Sequence, residues 1–150
     1  MKVAIVSGSV YGNAEEVARH AQGILREAGF DVWHNPRANL QELLAFAPQA
    51  FLAVTSTTGM GELPENIQGL YFEIREQLPA QWRGLPGAVI ALGDSSYDTF
   101  CGAGELLREL FMELGLREIQ QMLRLDASES VTPQTDAEPW IAGFVEALGH

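Results

Sequence analysis

One cysteine, three scattered histidines and nine basic residues among 150 leave little of what disulfide, metal or nucleic-acid chemistry needs. The lone Cys101 excludes an internal disulfide and fits a reducing compartment. His20, His34 and His150 stand too far apart in sequence to suggest a metal site. Nine Lys and Arg against twenty Asp and Glu give a formal charge of −11, which argues against nucleic acid and makes a basic protein the natural partner. The longest apolar runs are about five residues, far short of the ~20 a membrane-spanning helix needs. No basic, apolar leader opens the chain, so a cytoplasmic location is expected, as is a monomer that does not bind membranes. There is no repeat, linker or low-complexity segment. Residues 1–150 are expected to form a single domain able to bury roughly 70% of the surface its unfolded form exposes.

What is present is an alternation. Val3-Ala4-Ile5-Val6 runs into Ser7-Gly8-Ser9-Val10-Tyr11-Gly12, and then Ala14, Val17, Ala18, Ala21, Leu25 and Ala28 recur at helical spacing. This predicts a strand, a tight loop and a helix from near Asn13 to Gly29. Phe30 to Trp33 reads as a strand near an edge, ended by Asn35-Pro36, and Asn39 with Glu42 has capping-box spacing for a short helix. Ala50 to Val54 and Ala88 to Leu92 are continuous apolar runs, the pattern of strands buried on both faces. Amphipathic helices are predicted from Pro64 and from Leu106, the second closed by Gly115. Leu116 to Leu125 reads as one polar edge strand, and Thr135 with Glu138 as a capping box for the last helix. Five strand–helix alternations imply an α/β fold, a five-stranded parallel sheet with helices on both faces.

Three strands empty into loops of small and polar residues, at the strand ends where open α/β sheets bind ligands. Residues 9 to 14 offer backbone donors at a helix start and no Lys or Arg, which suits a phosphate held by amides. An ordinary turn capped by Ser9 or Asn13 explains that stretch alone equally well. Residues 56 to 61 are short-chained, with glycines that allow close approach and a change of peptide orientation. Residues 93 to 102 carry Tyr97 and Phe100 among small residues, a flat aromatic face. A phosphate at one end and a planar ring at the other describe a mononucleotide or a flavin.

Gly8-Ser9-Val10-Tyr11-Gly12-Asn13-Ala14-Glu15, Ser56-Thr57-Thr58-Gly59 and Gly93-Asp94-Ser95-Ser96-Tyr97 with Phe100-Cys101 resemble the three FMN-binding loops of flavodoxins, in order and spacing. The last strand lacks the inserted loop of long-chain flavodoxins, so the chain resembles the short MioC-like and YqcA-like members. The resemblance implies a flavodoxin-like sandwich with strand order 2-1-3-4-5 and one noncovalent FMN. It places the phosphate on Ser9, Val10, Tyr11, Gly12, Asn13 and Ala14, and the ribityl chain near Ser56 and Thr57. The ring would lie between Thr58, Gly59 and Met60 on one side and Leu92, Gly93, Asp94, Tyr97, Phe100 and Cys101 on the other, stacked on Tyr97. Val10 and Ala14 replace hydroxyl residues common in the family and Thr58 replaces a shielding aromatic, so weaker FMN binding and a more exposed ring face, or one covered by Met60, are expected. The implied function is an electron carrier working between a basic-surfaced flavodoxin reductase and an acceptor enzyme. Glu62, Glu65, Asp94, Asp98 and Glu105 are expected to form an acidic rim that steers those partners.

Other classes fit less well. A receiver domain needs an acidic pair after the first strand and an Asp after the third, where Ser7, Gly8 and Ser56 stand. Neither a GxxxxGK[ST] loop nor a complete G-x-G-x-x-G is present. The loops hold no nucleophile beside a base and no paired carboxylates, so no catalytic residue is assigned. A flavin-dependent quinone or azo reductase, or a docking module that has lost its flavin, remain as alternatives.

Overall fold

The computed structural model describes residues 1–58, 61–96, 100–129 and 132–149. Strands β1 (Lys2–Gly8), β2 (Asp31–His34), β3 (Ala50–Thr55) and β4 (Pro86–Gly93) alternate with helices α1 (Asn13–Glu27), α2 (Leu40–Phe46), α3 (Glu65–Gln77) and α4 (Gly102–Leu114). Short strands β5 (Arg117–Glu118) and β6 (Leu123–Asp126) follow, then helices α5 (Pro133–Asp136) and α6 (Glu138–Ala147). All pairings are parallel, in the order β2-β1-β3-β4, with β5 and β6 both on the free edge of β4.

The apolar runs take the centre of the sheet because they have no polar side to offer water: every residue of β3 is buried, as are all but the first of β1 and all but the last of β4. Alternate residues supply the two faces. Ala4, Val6, Phe51, Ala53, Val89 and Ala91 pack under α2, α3 and α4, and Val3, Ile5, Leu52, Val54, Ala88 and Ile90 under α1 and α6. Trp82 lies in the first of these layers, edge-on to Phe51 at 4.8 Å, whereas Trp33 and Trp140 are partly buried covers stacked on Phe46 and Phe144. All three indoles are thus packing elements.

Helix ends follow their sequence signals. Gly29 (φ 96°) and Gly115 (φ 80°) close α1 and α4, with Phe30 N donating to Leu25 O and Leu116 N to Phe111 O. Asn39 Oδ1 accepts from Glu42 N at 2.8 Å, as its spacing predicts.

Two expectations are corrected. The final edge position is two strands, because the pairing offset grows from 31 (Pro86 with Arg117) to 33 (Ile90 with Leu123), so 119–122 carry two extra residues. That bulge is held from outside the sheet: Gln120 Nε2 donates to Trp140 O, and Trp140 Nε1 to Gln121 O. The Thr135–Glu138 capping box does not form. Thr135 lies inside α5, α6 starts at Glu138 without a side-chain cap, and Glu138 Oε1 bonds His20 Nε2 at 2.6 Å instead. Tertiary pairing to α1 has outcompeted the local bond.

Candidate functional site

The first loop leaves β1 at Gly8 and enters α1 through Gly12, whose φ of 89° is accessible to glycine with little strain. Ser9 Oγ accepts from Gly12 N at 2.8 Å, closing the turn, and Glu16 N donates to Gly12 O to start the helix. Ser9 N is taken by Asn66 Oδ1 at 2.9 Å. The amides of Val10, Tyr11, Asn13 and Ala14 remain for a ligand, together with the Ser9 hydroxyl hydrogen. No side chain caps α1, so its first turn keeps its donors and its positive dipole end for an anion. Val10 is 50% and Tyr11 92% exposed, whereas Ala14 is fully buried with its methyl in the core under α1. Ala14 therefore offers the loop only its amide. Gly12 rather than Ser9 or Asn13 is the cap residue.

Behind this loop Ser7, 3% exposed, places its Oγ 2.7 Å from His34 Nε2. Burial pulls the His34 pKa below its ordinary value, with Glu15 opposing and Arg19 adding to the shift. This burial favours the neutral imidazole as the hydrogen-bonding partner of the hydroxyl.

The second loop begins at Ser56, whose N donates to Gly8 O at 2.9 Å, and folds into a turn in which Thr58 N and Oγ1 both bond Glu62 O and Gly61 N bonds Thr58 O. Thr57 Oγ1 accepts from Ala103 N at 3.3 Å, tying this loop to the first turn of α4. In the third loop Gly93 lets the chain fold back tightly: a Cβ there would sit 2.7 Å from Cys101 N. Cys101 adopts φ 57°, is fully buried, and turns its thiol inward to Ala91 O at 3.6 Å. Burial pushes the thiol pKa up to about 11, so it is a packed neutral group.

The Asp94 carboxylate is turned into its own loop, accepting from Ser96 N and Oγ at 2.9 and 2.6 Å. Asp126, at the end of β6, accepts from Ser95 N and from Ser128 N and Oγ. Hydrogen bonding from Ser95, then Ser128, holds its carboxyl well below the usual carboxylate range. The segment 126–128 thus braces the third loop from outside.

Of the residues assigned from sequence, Ser9 to Ala14, Ser56 to Thr58, and Leu92 to Asp94 with Phe100 and Cys101 stand on three loops, and on the start of α1 and the end of β4 that flank them, at one edge of the sheet. Gly59, Met60 and Tyr97, with Asp98 of the rim, lie outside the described residues. Glu105 departs from expectation: it pairs with Arg124 and lies 4.0 Å from Arg108, which also binds Glu118, so it adds little net charge to a rim. Asn66, His34 and Ser7 were not legible as site residues, since each reads as an ordinary polar residue of a helix start or a strand end. Among the described residues no group of His, Cys, Asp and Glu can hold a metal, and no helix is long and apolar enough to cross a membrane.

The donor set fits FMN. An uncharged cradle of amides and one hydroxyl at a helix start suits a phosphate, and the two further loops at the same sheet edge approach each other at Gly61 and Gly102.

The flavodoxin family model matches residues 5–140. Flavodoxin YqcA of Pectobacterium carotovorum is 40% identical over 147 residues, 98% of this chain and 97% of that one. A MioC homolog of Pasteurella multocida is 36% identical over 147 residues, 98% of each. The solved structure of a C101S variant of flavodoxin from Pseudomonas aeruginosa is 71% identical, with a TM-score of 0.96 over the whole of both chains. Sheet order, loop chemistry and sequence agree: the chain belongs to the flavodoxin family of FMN-binding electron carriers, as a short member similar to the YqcA and MioC proteins.

Proposed function

We propose that the protein carries single electrons between a basic-surfaced reductase and an acceptor enzyme, with FMN held across the three loops. The observation that carries this reading is the joining of the loops: Ser56 N to Gly8 O, and Ala103 N to Thr57 Oγ1, make one continuous binding edge from three strand ends. Bound FMN supplies redox chemistry in two one-electron steps. The amides of Val10, Tyr11, Asn13 and Ala14 and the Ser9 hydroxyl hold the phosphate. Ser56 and Thr57 line the ribityl path. Thr58, Gly61 and Glu62 on one side and Gly93, Asp94, Phe100 and Cys101 on the other form the walls of the ring site. Glu62 and Glu65 stand exposed beside that site, which suits recognition of a basic partner.

The test is the absorption spectrum of purified protein with and without added FMN, followed by potentiometric reduction. Flavin bands, two separated one-electron steps and dependence on an added reductase are expected. Rapid NAD(P)H consumption by the protein alone identifies an enzyme and overturns the reading.

A further inference from the structure

Asn66 stands in the first turn of α3, 57 residues beyond Ser9, and its amide makes three hydrogen bonds to two chain segments, residues 7–9 and Pro36. Oδ1 accepts from Ser9 N at 2.9 Å, while Nδ2 donates to Ser7 O at 3.0 Å and to Pro36 O at 2.7 Å. One donor and two acceptors in this placement fix the amide's orientation and match asparagine alone among side chains of that length: aspartate has no donor, and leucine has neither group. The next residue closes the same wall, since a Cβ on Gly8 would meet Ile67 Cγ2 at 2.7 Å. Ser7–Ser9 is therefore gripped through its backbone by α3 in front and through Ser7 Oγ by His34 behind.

From this we infer that Asn66 is the positioning residue of the phosphate loop, an inference that rests on the FMN reading above. By occupying Ser9 N it leaves Ser9 Oγ to accept from Gly12 N, so the serine hydrogen and the remaining amides are aimed at one point before any ligand arrives. The loop carries no Lys or Arg, so the aim of its neutral dipoles is its whole means of holding a dianion. A pre-set cradle avoids an ordering cost on binding. The effect belongs to the phosphate, because the Asn66 amide bonds Ser9 N, Ser7 O and Pro36 O, and none of these residues is assigned to the ring.

The experiment titrates apoprotein with FMN and with riboflavin, which lacks the phosphate, following flavin fluorescence for the parent, Asn66→Ala and Asn66→Asp. Thermal unfolding of each apoprotein is recorded alongside, and whichever variant folds is read. FMN affinity should fall about tenfold or more, the scale of one mis-aimed bond to a charged group, with riboflavin affinity changed less than about twofold. Parallel losses for both flavins, or an unchanged FMN affinity, overturn the role of Asn66 and leave the FMN reading standing. A parent protein that binds neither flavin overturns both.

Discussion

Gly61 and Gly102 touch backbone to backbone: a Cβ on Gly102 would lie 2.9 Å from Gly61 Cα and 3.0 Å from its carbonyl oxygen. The second and third loops are thus spaced by two residues without side chains. Thr57 Oγ1 takes the adjacent Ala103 amide, so one helix start sets both the distance between the ring-site walls and their relative direction.

Gly102→Ala should push these walls apart. Overpacking of this kind costs about 1–3 kcal/mol, measurable as a lower urea midpoint. Affinity for FMN and riboflavin should fall together, because the ring site itself is disturbed. Preserved riboflavin binding would show that the loops can separate without affecting it.

His34 makes stability depend on pH. Its folded pKa lies below the ordinary 6.5, so on acidification the unfolded chain takes the proton first. The contribution is complete above about 6.5 and is lost as pH falls from there through the folded value. In urea titrations between pH 8 and 5, His34→Gln should lose less stability on acidification than the parent. Curves of equal slope would mean that the Ser7–His34 pair accepts the proton at no cost.

Cys101 should be chemically silent in the folded protein. Raising its pKa from 9.0 to about 11 lowers the thiolate fraction about 100-fold near neutral pH, and the sulfur is fully buried besides. Iodoacetamide should label it in denaturant and not in buffer. Fast native labelling would place the thiol at the surface.

Charge at the flavin end should act through Glu62 and Glu65 more than through Glu105. Glu62→Gln with Glu65→Gln should slow coupling to a basic reductase roughly two- to fivefold at low salt and flatten its salt dependence. Glu105→Gln instead removes the carboxylate partner of Arg124, while Arg108 keeps Glu118, so its effect comes from one uncovered cation. Equal behaviour of the two sets would remove the distinction.

Much of the site was legible because its chemistry is local. Gly12 at φ 89°, the hydroxyls of residues 56 to 58 and the tight turn at Gly93 are demands of a few consecutive residues, visible as composition. Asn66 was not, because its three partners come from residues 7, 9 and 36, and an asparagine at a helix start looks like any other. The misread Thr135–Glu138 box has the same origin: its spacing is right, yet His20 lies near enough to take the carboxylate.

The order of short apolar runs and loops by itself determined a parallel sheet, its buried strands and three ligand loops at one edge, since alternation and burial are properties of sequence neighbours. Which polar groups remain free on those loops was decided only when distant segments met. Asn66 takes an amide, two arginines take Glu105, and a two-residue bulge divides the last strand because Trp140 and the glutamines beside it hold the chain out of register.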